Sequence, residues 1–312
     1  MIPACGNEPL AKDLDGNYQV AAKCTTTTLT ETINAKANAT LIVAFGAKNQ
    51  EILARTNAAK RATQPFVITI GPTPSPTEEL CDTVIVAETG ATAAVDLALL
   101  ASNGIKLPPN RVEIGTKTFT PANLAAGGAS QGAPGDAYMA YTRTQHAAIL
   151  TGNPDTDEIH QIGMLQADHP DPWQQRVHVE LKDACARYPQ LSLVEGEAET
   201  QPIDQAKQML LKGCRVLMIA TSNPSITKSI VAAAAKGPNG PTPVIVLDPM
   251  LLDHETCVIG CSPDAIARAA SASVRQLLPE GGTMITCFDV SKNLVKSFCQ
   301  VMGLPSDRLL PH

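Results

Sequence analysis

Between residues 159 and 248 the sequence carries four short apolar runs at similar intervals: IGMLQ at 162–166, LSLV at 191–194, VLMIA at 216–220 and VIVLD at 244–248. Each of the first three runs is followed by a segment whose apolar residues recur with helical spacing. Buried parallel strands that alternate with helices produce this pattern, because helices cover both faces of such a sheet. The stretch therefore predicts an open, doubly wound α/β lobe.

Three predicted helices open with a polar residue followed by proline: Asp171-Pro172, Asn223-Pro224 and Ser262-Pro263. The polar side chain caps the exposed amides of the first turn, and proline lacks an N–H that would be unpaired there anyway. The inward face of the first of these helices is expected to carry Trp173, Val177, Leu181, Ala184 and Cys185.

Length and composition limit the classes of protein that are possible. The 312 residues suit two lobes of roughly 130–150 residues each. The net charge of -6 leaves no basic stripe for phosphates, so nucleic acid is excluded as a partner. No run approaches the ~18 apolar residues that span a bilayer. A secretory signal peptide is absent from the start, as expected of an intracellular protein or of a mature chain whose signal has been removed.

The nine cysteines are dispersed, odd in number and mostly placed inside apolar runs. This distribution favours buried thiols over a disulfide framework or a metal site. Cys5 is different, because the segment IPACG at 2–6 resembles the end of a bacterial lipoprotein cleavage box. That resemblance implies a lipid anchor and a periplasmic or other extracytoplasmic location. The alternative is an ordinary free thiol on a frayed terminus.

The first half of the chain predicts a second set of strands, at 18–22, 41–45, 66–70 and 83–86, and an alternating strand at 111–119. A segment rich in Ala, Gly and Ser follows, and its composition predicts a flexible linker over 125–158. The chain then ends on a strand at 284–288 and a helix at 291–302. This last unit has no strand after it, and placing it ahead of Tyr18 completes a second α/β lobe.

Several of these segments together resemble the type I periplasmic binding proteins, closest to the ribose-binding and sugar-binding branch. The first lobe of that family is similar to IGML at 162–165, DPWQ at 171–174, ACA at 184–186, MLLKGCRVLMI at 209–219 and PVIVLD at 243–248. Its second lobe is similar to LIVAF at 41–45, NQEIL at 49–53, PFVI at 65–68 and residues 111–124. The two parts occur here in reverse order, so the chain resembles a circularly permuted member.

The resemblance implies two Rossmann-like lobes joined by a hinge. One lobe would comprise 17–86, 112–124 and 281–312, and the other 87–111 and 159–280. Residues 1–16 would be a tail, and 125–158 the linker created by the permutation. It also implies a monomeric solute-binding protein, not an enzyme, that holds a small polar, sugar-like ligand in the cleft between the lobes. An ABC permease or a sensor would be its partner, with no cofactor and no metal.

Ligands of doubly wound folds sit at the carboxyl ends of the strands. The candidate ligand-binding residues are those that follow predicted strands or lie near a predicted crossing between lobes: Gln166, Asp168, His169, Trp173, Thr221, Asn223, Asp248, Asp289, Lys48, Asn49 and Glu88. An aromatic ring, carboxylates and amides are the groups that sugars need.

Each candidate also has a purely structural interpretation. Trp173 can belong to the core, Asp248 can end a strand as a turn residue, and Asn223 is expected to cap a helix first. His169 with its neighbouring aspartates suggests a metal, but a capped helix start accounts for it equally. Lys48 and Asn49 can face either the cleft or a helix start.

Two other classes of function remain as alternatives. An α/β enzyme acting on a phosphorylated or nucleotide substrate needs a dinucleotide fingerprint, a phosphate loop or a nucleophile elbow, and the sequence contains none of them. A repressor effector domain needs DNA-binding helices, and none precedes either lobe. The sequence therefore favours the binding protein.

Overall fold

The computed structural model describes residues 11–12, 17–36, 38–45, 49–59, 64–71, 79–108, 111–131, 140, 142–151, 158–166, 172–197, 200–221, 223–248, 256–288 and 292–305. The chain divides into two compact units. The first comprises Met1–Ala87, Thr116–Gln131 and Pro263–His312, and the second comprises Glu88–Gly115 and Gly132–Ser262. The backbone therefore passes from one unit to the other four times.

Strands and helices alternate through most of the described chain. In chain order the strands are β1 (Ala11–Lys12), β2 (Tyr18–Cys24), β3 (Leu41–Phe45), β4 (Phe66–Ile70), β5 (Thr83–Ala87), β6 (Arg111–Glu113), β7 (Thr116–Phe119), β8 (Ala129–Gln131), β9 (His160–Leu165), β10 (Leu191–Glu195), β11 (Val216–Ala220), β12 (Val244–Asp248), β13 (Cys257–Gly260) and β14 (Gly282–Phe288). The helices are α1 (Leu29–Ala35), α2 (Asn49–Asn57), α3 (Ala91–Ser102), α4 (Ala147–Leu150), α5 (Pro172–Cys185), α6 (Pro202–Leu211), α7 (Pro224–Ala234), α8 (Pro263–Leu277) and α9 (Lys292–Met302).

The second unit is built on a parallel sheet with the strand order β10-β9-β11-β12-β13-β6. Its central strands are buried on both faces, since every residue of β12 and β13 is buried. Helix α3 packs beside α5, and α6 packs beside α7. The predicted inward face of α5 is confirmed at Val177, Leu181, Ala184 and Cys185, which are at most 5 % exposed.

The first unit is built on a mixed sheet with the strand order β1-β2-β14-β3-β4-β5-β7-β8. The five strands from β2 to β5 in that order are parallel, whereas β1, β7 and β8 pair with their neighbours in the antiparallel sense. Strand β14 lies between β2 and β3 and is hydrogen-bonded to both. Helices α1 and α2 contribute Leu29, Ile33 and Ile52 to one apolar cluster with the sheet. Phe298 of α9 packs edge-on against Phe45 of β3, with ring centroids 5.3 Å apart.

The parallel strands of the two sheets follow the same spatial order. Numbered along the chain from β9, the first five strands of the second sheet have the order 2-1-3-4-5, and β6, which precedes β9 in the chain, pairs at the far end beside β13. Numbered from β14 and continuing at β2, the five parallel strands of the first sheet have the order 2-1-3-4-5. In each sheet the second strand lies on one side of the first strand, and the following strands lie on the other side. This is the arrangement of a flavodoxin-like doubly wound sheet.

The strand predicted over 111–119 was wrong as a single element. The segment forms two strands in different sheets: β6 pairs with β13 in the second unit, and β7 pairs with β5 in the first. Between them, Ile114 N donates to Gly260 O, and Gly115 O accepts from Glu88 N. An alternating pattern indicates that one face of a strand is buried, but it does not indicate which sheet covers that face. The crossing from one sheet to the other could therefore not be predicted from the sequence.

Two further segments differ from their sequence assignment. Residues 263–280 were grouped with the lobe of 159–248, but α8 packs against α9 and against β4, β5 and β7. Strand β13 was not predicted. All four of its residues are buried in the second sheet.

The described parts of the segment predicted as a linker have regular structure and specific contacts. Its first part forms β8, which pairs with β7 at the edge of the first sheet. Further on, Arg143 Nε lies 2.6 Å from Asp96 Oδ2, and this carboxylate is fully buried in α3. Tyr188 also donates its phenol to Asp96 at 2.6 Å. Gln190 Nε2 donates to Ile149 O at 3.3 Å, so two polar contacts hold the end of this segment to the second unit.

The eight described cysteines are all free thiols, and seven of them are buried, which confirms the prediction for these positions. Burial raises the pKa of the Cys257 thiol to about 12 and of the Cys214 thiol to about 11. Cys5 lies outside the described residues. In the part of the chain that the structure describes, no helix has the length and apolar character needed to cross a membrane.

Candidate functional site

The candidate site lies at the carboxyl edge of the second sheet, beside β9. Strand β10 flanks β9 on one side and β11 flanks it on the other, so the chain leaves β9 at the point where the strand order reverses. A cavity of about 290 Å³ lies there, between α5 and the ends of β9 and β11. Met164, Val177 and Leu181 give it an apolar floor, and Gln166, Gln174 and His178 add polar groups.

Helix α5 is fixed over this cavity by contacts at its first turns. Gln174 Nε2 donates to Ala220 O at 2.9 Å, which ties the helix start to the end of β11. On the side that faces α3, Thr89 donates its hydroxyl to Glu180. Arg176 Nε lies 2.7 Å from the other carboxylate oxygen of Glu180. These contacts position the polar side chains of α5 relative to the strand ends.

A second polar group ties α5 to β10. Glu195, the last residue of β10, accepts from His178 Nε2 at 3.0 Å and from Lys182 Nζ at 2.8 Å. The hydrogen bond from Lys182 is the main reason why the pKa of the Glu195 carboxyl is lowered, and the charge of His178 acts in the same direction. The imidazole that lines the cavity is therefore oriented by a carboxylate that stays ionised at neutral pH.

Gln205 of α6 fixes the two loops that follow β9 and β10. Its Oε1 accepts from Gln166 N at 2.8 Å, and its Nε2 lies within 3.0 Å of the carbonyl oxygens of Gln166, Glu197 and Thr200. The side chain is almost completely buried. Gly196 makes this possible, because a Cβ at that position would lie 1.8 Å from Gln205 Oε1. We call Gln205 and Gly196 the glutamine clamp.

Trp173, the only tryptophan of the chain, lies in the first turn of α5 and is half-buried. Its indole Nε1 is buried and has no hydrogen-bond partner among the described residues. Buried donors are normally paired, with protein groups or with ordered water, and an exception points to a group that completes the site. Trp173 is not among the described residues that line the cavity, and its indole donor is enclosed by protein.

The structure brings some of the predicted residues to this edge. Gln166 lines the cavity directly. Thr221 follows β11, and its Oγ1 accepts from Asn223 N at 3.1 Å. Asn223 Oδ1 accepts from Ser225 N at 3.0 Å and from Ile226 N at 3.4 Å, so its predicted role as a helix cap is confirmed. The same oxygen is therefore committed to the start of α7.

Asp248 and Glu88 lie farther along the same edge. Asp248 is fully buried at the end of β12, which is two strands from β9 and so roughly 10 Å away. Glu88 is half-buried and lies beside Gly115 after β6, four strands from β9, or roughly 19 Å. A small molecule in the cavity beside β9 does not reach Glu88 within this unit.

Several predicted residues lie outside the described part of the chain, namely Asp168, His169, Lys48 and Asp289. Asn49 begins α2, and its side chain is not among the described ones. The proposed ligand contacts of these five residues stay predictions.

The cavity also contains residues that the sequence argument did not select. Gln174 and His178 are one helical turn apart on α5, next to the apolar face that was predicted. Their spacing of four residues was the available signal, because neighbours of an apolar stripe at i and i+4 face the same strand ends. The sequence gives no such signal for Gln205 and Gly196. Gln205 lies on α6, and the loops that it contacts adjoin it only in the folded sheet.

The described lining can hold a neutral polar molecule by hydrogen bonds and apolar contact. Among the described side chains that line the cavity, the imidazole of His178 is held through its Nε2 by Glu195. No group of three His, Cys, Asp or Glu residues that could bind a metal ion occurs within the described ranges. No known family model and no curated protein matches this sequence.

Proposed function

We propose that this chain is a circularly permuted solute-binding protein of the type I periplasmic kind that binds a small, sugar-like polar molecule. The observation that carries the proposal is the shared strand order of the two sheets. The first sheet reaches the order 2-1-3-4-5 only when β14 and α9 are counted ahead of β2. A duplicated doubly wound lobe whose original termini were joined, and whose new termini were opened inside one lobe, accounts for this order.

The site at β9 supports the ligand class. Amide side chains satisfy hydroxyl groups as both donors and acceptors. Met164, Val177 and Leu181 supply apolar surface for the C–H groups of a ring. A volume of about 290 Å³ is at the lower end of the range for small-ligand sites, which is roughly 300–1,000 Å³.

In this role the protein delivers its solute to an ABC-type permease or to a sensor, outside the cytoplasmic membrane. The lipoprotein-like segment around Cys5 supports such a location, with the lipid holding the protein near its partner.

A thermal-shift screen against sugars, polyols, nucleosides and amino acids tests the proposal. A ligand at 100 times its dissociation constant adds about 2.7 kcal/mol, which raises the melting temperature of a domain of this size by roughly 5–10 °C. Gln166→Ala should abolish most of the shift for the active compound, because it removes a side chain from the cavity. Gln208→Ala, an exposed glutamine on α6, is the matched control and should keep the shift. A ligand that shifts all three proteins equally would place binding elsewhere.

A further inference from the structure

A second cavity, of about 1,050 Å³, lies at the opposite edge of the second sheet. It is formed where the chain enters β11, β12 and β13, together with the segment that follows α3. Strand β11 has five residues, so the two edges are roughly 17 Å apart. Ligands of doubly wound sheets are normally held at the carboxyl edge. A large cavity at the amino edge is therefore unrelated to the site beside β9.

The charged side chains of this cavity have one sign. Lys106 and Arg215 line it, and none of the described lining residues is an aspartate or a glutamate. The described part of the lining is therefore positively charged, although the whole chain carries a net charge of -6. Arg215 is partly neutralised, because Glu158 pairs with its Nη2 from outside the cavity and its Nη1 donates to Ser102 O at 3.3 Å.

Lys106 is not neutralised in this way. Its ammonium group makes no hydrogen bond and no ion pair with any residue that the structure describes. The same holds within the described chain for the side chains of Asn239 and Thr242, which line the cavity from the loop before β12. One cation, one amide and one hydroxyl thus line the cavity within reach of solvent, since Lys106 and Asn239 are exposed and Thr242 is half-buried. Ile105, Leu107 and Pro241 provide apolar surface beside them.

We propose that the amino edge of the second sheet is a binding site for a small organic anion, held by Lys106 with Asn239 and Thr242 around its charged oxygens. The anionic group forms charge-assisted hydrogen bonds with the ammonium, and these are about twice as strong as neutral ones. The body of the ligand packs on Ile105 and Leu107. A volume of about 1,050 Å³ suits a ligand at the upper end of the small-molecule range, which is roughly 300–1,000 Å³.

Isothermal titration of the full chain with three compounds of one shape tests this site: phenyl phosphate, benzoate and benzamide. The two anions distinguish a phosphate from a carboxylate ligand, and benzamide is the uncharged isostere of benzoate. We expect saturable binding of at least one anion with a dissociation constant below roughly 1 mM, and none of benzamide. Binding of benzamide as tight as that of benzoate, or of neither anion below that concentration, overturns the proposal.

Variants locate the binding. Lys106→Gln should weaken binding of the anion by about tenfold, which corresponds to about 1.4 kcal/mol. Asn239→Asp places a carboxylate in the cavity with almost no change of shape, and should weaken binding at least as much. Lys207→Gln is the control, because Lys207 is an exposed cation on α6 that pairs with Asp204 at 2.8 Å. Equal affinity of the Lys106→Gln variant and the unchanged protein would refute the assignment.

Discussion

Gln205 is the residue of the glutamine clamp that lies on α6, and its replacement should destabilise the loops after β9 and β10 more than any other single substitution on that helix. Gln205→Ala deletes an acceptor used by Gln166 N and a donor group shared by three carbonyl oxygens. The Nε2 group has two hydrogens, so three hydrogen bonds are lost at most. At 0.5–1.5 kcal/mol for each bond, the free energy of unfolding should fall by about 3 kcal/mol, within a range of roughly 1.5–4.5 kcal/mol.

Scanning calorimetry measures this loss directly. A change of 1 kcal/mol moves the melting temperature of a domain of this size by roughly 2–4 °C, so the expected drop is roughly 6–12 °C. Gln208→Ala, three residues along the same helix and exposed, makes the same chemical change outside the clamp. Its melting temperature should stay within about 1–2 °C of the parent, as surface substitutions usually do.

Gly196 supplies an independent check on the same contact. The three heavy atoms nearest to a Cβ at this position all belong to Gln205. Gly196→Ala should therefore destabilise the parent by about 1–3 kcal/mol through overpacking. In the Gln205→Ala background the obstructing atoms are gone, and the same substitution should cost little. Additive effects of the two substitutions would show that the clamp does not exist as described.

Two further predictions concern stability and the aromatic residues. Burial and the hydrogen bond to Asp96 raise the pKa of Tyr188 to about 12, so the folded protein holds the phenol neutral. This contribution is complete below the ordinary pKa near 10 and is lost as the pH rises from about 10 to 12. Urea unfolding should show a steeper loss across that interval in the parent than in Tyr188→Phe, and parallel curves would contradict the assignment. Trp173→Phe removes a buried donor that has no described partner, so the free energy of unfolding should change by less than about 1 kcal/mol. A larger loss would show that the indole ring contributes apolar contacts to the core. If the indole binds the solute, this variant should bind it at least roughly tenfold more weakly, and an unchanged affinity in a titration would remove Trp173 from the site.

The sequence predicted the strands well where apolar runs were continuous. Strands β3, β4, β11 and β12 begin and end at the predicted residues, because a parallel strand covered on both faces needs an unbroken apolar run. The assignment of β14 to the first sheet was also inferred, from a unit that lacked a following strand, and its pairing with β2 and β3 confirms it. Where the chain crosses between sheets, as at 113–116, local pattern carries no information about the partner, and the prediction failed.

The candidate site was less accessible to sequence reasoning than the fold. Gln166 and Asn223 follow strand ends, and position after a strand is visible in sequence. Gln205 contacts loops that are 5, 8 and 39 residues away, and a buried glutamine in a helix gives no local sign of such contacts. His178 on α5 is oriented by Glu195, the last residue of β10. Contacts of this kind depend on sheet order, and sheet order is fixed only in the folded chain.

The position of β14 affects how the protein is made. Strands β2 and β3 emerge early from the ribosome, but each of them pairs with β14 and neither pairs with the other. Until residues 282–288 have been synthesised, the first sheet has a gap at its centre, between β2 and the entirely apolar β3. Unpaired apolar edges are sites of aggregation, and non-local strand pairs form slowly. The sheet of the first unit is therefore completed only after residues 282–288 have been synthesised, and the unpaired edges of β2 and β3 are exposed to aggregation until then.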